Sequence, residues 1–469
     1  MAQTPQTAEA EARRPDPASF RDPSGTVVWQ AGKLTRQIRP GAAPFFRTLA
    51  ASPALARWVA AGLLVPTWVE RDDDAGLVLG HDPIAPLTYP HEWPGALFHD
   101  AASVVLQVAQ AAAEEGLGLA DGHPWNVLIH RGRPTFIDVG SLGPEPTDLL
   151  WPAHQQFLAF CLYPLHLRRA GLPELATAQL HDLSQGISDD LCLRALPLSY
   201  LAGHPGLWGS LQLRRWLSPG RTAPRARAAT SRPDPATLRQ VRRPFFARLQ
   251  RELAALRPSP GPSAWSGYYE TCPGMSGDEQ QAKLQVVARL LEAWRPQRVL
   301  DLGCNRGAYA VLAARQGASV VAVDQDDEAL SHLYRQARQD GLDILPLHLN
   351  MCHPSAGAGW NGQERPATWE RLSGDVTLML ALLHHLLITH QLKVTHVADL
   401  AARVTRRCAL IEWVDLEDPM SQVLLATARR EFPEHNLALL VEAMAARGFT
   451  RGEVVPLTAT RRLVSFERR

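Results

Sequence analysis

At 469 residues the chain is too long for one hydrophobic core, and its length predicts two or three domains. A hydrophobic fraction of 46% beside 20% charged residues is that of a soluble globular protein and excludes a largely disordered chain. A formal net charge of +1 gives no global electrostatic drive toward nucleic acid or an anionic membrane.

The basic residues are nearly all arginine; Lys33, Lys283 and Lys393 are the lysines. Six scattered cysteines without a CxxC pair argue against a zinc site or a disulfide framework, so no metal-ligand set is expected. Residues 1–19 are polar and proline-rich, without the apolar stretch of a signal peptide, and are expected to be disordered. With the reduced cysteines, this predicts a cytoplasmic protein. The most apolar run, VTLMLALLHHLLI, is short and carries two histidines, so it reads as a buried strand rather than a membrane span.

In chain order, FRDPSGTVVWQAGKLTRQI predicts a hairpin about an Ala-Gly turn, and residues 43–63 have helical spacing. TWVE and LVL are strand-like and flank Asp72, Asp73 and Asp74. A long amphipathic helix is predicted from Ala101 to Glu115, followed by two short strands, VLI and PTFIDV, around an Arg-Gly-Arg turn. Residues 150–217 read as mostly helical. The stretch 218–235, rich in Pro and Arg, reads as a solvated linker, with one helix at 237–256 before a second break. From residue 278 helices alternate with short apolar strands, which predicts a mostly parallel, doubly wound α/β sheet.

The segment VLDLGCNRGAYAVLAARQGASVVAVD carries the strongest chemical signal. A buried strand runs into a turn in which Gly303 and Gly307 accept unusual dihedral angles and let a ligand approach the backbone. A second strand ends in Asp324, twenty-one residues after Gly303, where a carboxylate accepts hydrogen bonds from ribose hydroxyls. The turn opens with Asp301, which suits a cationic ligand and would repel a pyrophosphate. Its spacing, with Asn305 in place of the middle glycine, resembles motif I of class I S-adenosylmethionine-dependent methyltransferases. Asp301, Gly303, Asn305, Gly307, Asp324 and Asp375, the last opening the fourth strand, are therefore the cofactor candidates.

That fourth strand leads to His384 and His385, and strand carboxyl ends line the crevice of such sheets. Either histidine serves as a general base or, on the bland reading, packs against the next helix. Glu412, on the following strand, either supports the histidines, binds substrate or pairs with an arginine. A polar insertion, Asn350 to Leu372, carries Trp360 and is long enough to be functional. Trp265 and Tyr268, with Tyr269, precede the first helix, where aromatic residues cover a cofactor or seal a domain interface. No Asp/Asn-Pro-Pro-aromatic motif is present, so amino-methylation of bases or glutamine is not favoured.

Nearer the amino terminus, Asp121 precedes Asn126 by five residues, and Asp138 follows Asn126 by twelve. In kinase-like enzymes an aspartate orients the acceptor hydroxyl, an asparagine five residues on holds metal, and a strand-end aspartate holds metal on ATP. GHPWN also resembles the HPGN segment of aminoglycoside phosphotransferase-like kinases. A glycine-rich loop is missing, however, Leu119 stands where histidine is usual, and no Glu lies between Lys33 and Glu70 to form the helix ion pair. A degenerate kinase-like scaffold is the expectation; ATP and magnesium are its ligands only if phosphotransfer persists.

Taken together, FRDPSG, YPHEWPGALFHDAA, LADGHPWN, FIDVGSL, GW-x-x-x-ER, LALLHHL and IEW-x-x-x-x-DP occur in one order that resembles the NoeA-like family of bacterial nodulation-type methyltransferases. The family's lysine before the Asp121 position is Ala120 here. The resemblance covers residues 20–469. It implies that both halves form a standing unit and that the acceptor is a small molecule or a glycan of cell-surface metabolism. The expected organisation is a disordered 1–19, a kinase-like domain at 20–217, a linker with one helix at 218–262 and a methyltransferase domain at 263–469. Two rivals remain: a bifunctional enzyme with an active phosphotransferase domain, and a non-catalytic cofactor-binding scaffold.

Overall fold

The computed structural model describes residues 13–182, 184–217, 234–261, 275–426, 428, 431, 432 and 435–469. The chain forms two compact units, the first from residues 1–91, 95–259 and 359–365, the second from residues 92–94, 260–358 and 366–469. Among the described residues no helix is long and apolar enough to cross a membrane.

The first unit opens with β1 (Arg14–Pro15), β2 (Gly25–Gln30) and β3 (Lys33–Ile38), then helices α1 (Ala43–Ala50) and α2 (Pro53–Ala60), then β4 (Thr67–Asp73) and β5 (Gly76–His81). These strands make one antiparallel sheet in the order β1-β2-β3-β5-β4. Ala31 and Gly32 both take positive φ, 49° and 76°, the geometry that a two-residue hairpin needs. Part of the amino-terminal stretch expected to be disordered is ordered here. Arg14 and Pro15 pair with Trp29 and Val28, and Asp16 accepts hydrogen bonds from the Ala18 amide and the Trp29 indole.

The remainder of this unit is helical, built on α3 (Gly95–Glu114), whose apolar residues from Leu97 to Ala112 are buried. Short strands follow: β6 (Leu117–Leu119), β7 (Val127–His130), β8 (Arg133–Phe136) and β9 (Leu142–Pro144). Then come α4 (His154–Phe157), α5 (Tyr163–Arg169), α6 (Pro173–Gln179), α7 (Asp189–Ala195), α8 (Leu198–Gly203), α9 (Pro205–Leu217) and α10 (Pro235–Ala255). Helix α10, expected inside a linker, packs into this unit. Leu238, Phe246, Leu249 and Leu253 recur at helical spacing and are buried, and Arg242 bonds Glu145 and the carbonyls of Pro146 and Asp148.

The second unit contains α11 (Gly277–Trp294), β10 (Arg298–Leu302), α12 (Ala308–Arg315), β11 (Ser319–Asp324), α13 (Asp327–Asp340) and β12 (Ile344–His348). After α14 (Thr368–Arg371) come β13 (Gly374–Met379), α15 (Val394–Val404), β14 (Thr405–Val414), α16 (Pro419–Leu425), α17 (Leu437–Ala445), β15 (Phe449–Pro456) and β16 (Arg461–Arg468). The sheet runs β12-β11-β10-β13-β14-β16-β15, and β16 is antiparallel to both of its neighbours. Strand β10 is paired on both sides, Leu300 lying between Val321 and Thr377, and its run of buried residues suits a strand covered on both faces. Chain order reverses between β10 and β13, so the crevice for a ligand opens at their carboxyl ends. This is the doubly wound sheet that the alternating sequence predicts.

Residues 92–94 belong to this second unit. Glu92 is fully buried and is gripped by both terminal nitrogens of Arg371, with Thr368 Oγ1 3.5 Å away.

Candidate functional site at the carboxyl edge of the second sheet

The turn after β10 is shaped by three left-handed residues, Gly303, Asn305 and Gly307, with φ of 76°, 49° and 78°. It hangs on the end of β11. The amides of Gly303 and Cys304 both bond the Val323 carbonyl at 2.9 and 3.0 Å, and the Asn305 amide donates to Asp324 Oδ2 at 2.7 Å. Gly307 then caps α12. A Cβ there would lie 2.5 Å from the Leu333 methyl carbons, in addition to straining the positive φ. Gly307→Ala is therefore expected to destabilise this unit by about 1–3 kcal/mol in chemical unfolding and to weaken ligand binding at the turn.

Asp301 lies inside the edge, 1% exposed, and its Oδ2 has no hydrogen-bond partner. Burial, reinforced by the charge of Asp324, pushes its pKa up to about 7; Lys283 only partly opposes this. Asp324 accepts three backbone N–H bonds, from Asn305, Gln325 and Asp326. Burial still leaves its carboxyl above the usual range despite those bonds. Four lone-pair sites on a carboxylate leave room for a further donor.

His384 follows β13 and is fully buried, and neither ring nitrogen has a partner. Burial, aided by His385, Arg461, His435 and Lys283, holds it well below the ordinary histidine range, so the ring is neutral at physiological pH. The His385 ring centroid is 4.3 Å away, and its pKa is lowered to about 4, by burial first.

Glu412 is not a free proton acceptor. Its Oε2 takes hydrogen bonds from Lys283 Nζ at 2.5 Å and from the Ala381 amide at 2.7 Å, while Arg461 lies 3.7 Å from Oε1. Of the three roles open to it, pairing with cations is the one seen. The Ala381 amide it holds belongs to a residue at φ 50°, on the turn between β13 and His384.

Two predicted site residues lie elsewhere. Asp375 sits at the amino end of β13, where Oδ2 accepts from the amides of Gln297 and Arg298; an acid that opens a strand lies at the opposite edge from one that closes it. Trp360 is 72% exposed, and its segment, residues 359–365, packs with the first unit. There Glu364 pairs with Arg21, and the Arg365 guanidinium lies 4.4 Å from the Trp125 ring centroid and 5.3 Å from that of Tyr89. Trp265, Tyr268 and Tyr269 fall outside the described residues.

In the first unit Asn126 Nδ2 reaches Asp138 Oδ2 at 3.4 Å, and the Asn126 carbonyl accepts from Ile137 N at 2.8 Å. Asp138 Oδ1 accepts from Gly140 N and from Arg36, an arginine where a lysine is usual. The alternation of β3 is the signal for it, since Arg36 shares its buried face with Ile38. Lys33 instead makes an exposed pair with Glu70 on β4, so the ion pair looked for on a helix forms on a strand. Asp121 lies beside His123, whose pKa burial lowers while Asp121 opposes the shift.

No family model matches the chain. The chain is 28% identical over 468 residues to nodulation protein NoeA of Rhizobium meliloti (strain 1021), covering 96% of this chain and 95% of the relative. This is the relationship that the ordered motifs imply. Among solved structures, magnesium protoporphyrin IX methyltransferase (ChlM) from Synechocystis PCC 6803 with bound SAM aligns at 14% identity and a TM-score of 0.30, covering 41% of this chain and 81% of that one. The bifunctional kinase-methyltransferase WbdD aligns at 19% identity and a TM-score of 0.29, covering 40% of this chain and 39% of its own. Likeness of that order assigns neither protein's reaction to this chain.

Proposed function

We propose that the second unit is an S-adenosylmethionine-dependent methyltransferase acting on a small-molecule or glycan-type acceptor, and that the first unit is a kinase-like scaffold that presents it. One observation carries this reading. Asp301 Oδ2, Asn305 Oδ1 and both nitrogens of His384 are buried without hydrogen-bond partners in the unit whose sheet reverses order at β10 and β13. Protein interiors rarely leave buried polar atoms unpaired, so acceptors left open at the carboxyl ends of these strands support a polar ligand there. The donor set fits the group: two carboxylates suit a cation and ribose hydroxyls, and they disfavour a pyrophosphate. When bound, S-adenosylmethionine supplies an electrophilic methyl group on a sulfonium. The chain's own residues then have a limited task. Asp301 and Asp324 hold and orient, the turn from Gly303 to Gly307 closes on the ligand, and neutral His384 takes the acceptor's proton. For the first unit, an antiparallel sheet followed by a mainly helical region that carries Asp121, Asn126 and Asp138 after its first long helix supports the scaffold reading.

The test uses the pH dependence of Asp301. With its pKa at about 7, the carboxyl is neutral below that pH and anionic above it. Affinity for a cationic ligand is thus full at higher pH and lost as pH falls, by up to about tenfold per pH unit. Calorimetry with S-adenosylmethionine between pH 5.5 and 8.5 is expected to show that slope, and Asp301→Asn to flatten it. The ligand-free protein is expected to show the opposite trend in stability. Native Asp301 keeps its proton longer than the unfolded chain does, so stability declines as pH rises from the ordinary carboxylate range through about 7. Absence of saturable binding at any pH would defeat the proposal. Radiolabelled methyl transfer into fractionated extract then identifies the acceptor class.

A further inference from the structure

In a phosphotransferase with this loop spacing, the strand-end aspartate keeps its carboxylate for a divalent metal on the nucleotide. Here a guanidinium already lies against Asp138. Its Oδ1 accepts from Arg36 Nη2 at 2.7 Å and from the Gly140 amide at 3.1 Å, and Oδ2 faces Asn126. The other end of the guanidinium, Nη1, donates to Asp22, whose Oδ1 also accepts from Ser24 N at 2.7 Å and Ser24 Oγ at 2.6 Å. Arg36 is 5% exposed, and its planar guanidinium lies between two carboxylates.

Two further observations point the same way. Residues 16–24, which join β1 to β2, stand where such enzymes place a loop of glycine amides around the phosphates. Glycine is absent from that stretch, and its contribution to the cation is the Asp22 carboxylate, which repels a phosphate. The space beside the backbone after Asp138 is also filled, since a Cβ on Gly140 would collide with Arg36 Nη1. The residues present therefore do not fit magnesium ATP.

We propose that Arg36 is a built-in counter-cation that stands in for the divalent metal at Asp138 and closes the first unit to magnesium nucleotides, so that this unit does not transfer phosphoryl groups. The inference rests on the first unit alone and survives whatever becomes of the methyl-transfer reading.

The full chain is titrated calorimetrically with magnesium ATP, and manganese binding in the presence of ATP is followed by electron paramagnetic resonance. The wild type is expected to give no saturable nucleotide heat and no bound manganese above that of the Asp138→Asn variant. The double variant Arg36→Met, Asp22→Asn leaves Asp138 and Asn126 without the guanidinium, and is expected to bind manganese at least about tenfold more tightly than the wild type. Circular dichroism and thermal unfolding establish that it is folded. Wild-type binding of magnesium ATP that Asp138→Asn abolishes overturns the proposal. So does a folded double variant that gains no metal, because Arg36 would then not be what excludes it. Should the double variant fail to fold, the comparison of wild type with Asp138→Asn decides, because Arg36 keeps Asp22 as a partner there.

Discussion

Replacing Asp324 with alanine is expected to weaken S-adenosylmethionine binding by about a hundredfold or more. A hydrogen bond to a charged group contributes about 1.5–3 kcal/mol, and a carboxylate at this strand end is placed to receive two ribose hydroxyls. Each 1.4 kcal/mol is about a factor of ten in affinity. The same side chain also organises the site before any ligand arrives, because it collects the amides of Asn305, Gln325 and Asp326. Alanine removes both contributions. Asparagine keeps one oxygen for those amides and loses the charge, so Asp324→Asn is expected to fall between wild type and Asp324→Ala in calorimetry. Thermal unfolding separates the roles: loss of affinity with an unchanged transition marks ligand contact, and a lowered transition marks the scaffold. Affinity for Asp324→Ala within about threefold of wild type would remove Asp324 from the site.

What makes this part of the candidate site legible is that it is local. An apolar strand, an acid, two glycines and a second acid lie within one short stretch, and each step follows from backbone geometry. The rest depends on partners distant in sequence. Arg36 meets Asp138 across 102 residues, and Lys283 meets Glu412 across 129, so neither alternation nor spacing places them. Arg36 takes the place of a strand lysine in the first unit, and its parity with Ile38 on β3 is what turns it inward. Asp375 was misplaced for a different reason. It opens its strand, so chain direction alone puts it at the amino end, and the parallel pairing of β13 with β10 sets that end at the edge opposite Asp324. The helix at 235–255 reads as part of a linker because its sequence is polar overall, and the segment at 359–365 reads as a functional loop of the second unit because its length, not its packing, is what the sequence shows. In the helix, a few buried leucines and one buried arginine decide where it packs.

The interior of the second unit carries a second, larger expectation, for stability. Arg461 is 1% exposed and binds Asp418 through Nε and Nη2, both at 2.8 Å, while Thr460 Oγ1 adds a bond to the same carboxylate. Burial pushes the Asp418 carboxyl up, and Arg461 and Thr460 more than offset it, so its pKa lies below the usual range. Stability from this group is therefore present above the unfolded carboxylate pKa and lost as pH falls through the lower native one. Arg461 also stands beside Glu412, which joins Lys283 and the strained Ala381 amide, so one guanidinium serves two buried acids. Arg461→Met is expected to cost about 3–5 kcal/mol, because it strands Asp418 without a cation in the interior. Replacing Asp418 by asparagine in the same chain removes that orphaned charge while keeping an oxygen for the Met420 amide that it caps. The double variant is thus expected to recover a large part of the loss in calorimetric unfolding. Equal destabilisation of single and double variants would mean that the guanidinium acts through packing alone. Full recovery of stability without recovery of methyl transfer would instead assign the network to the turn that sets His384, through Glu412 and Ala381.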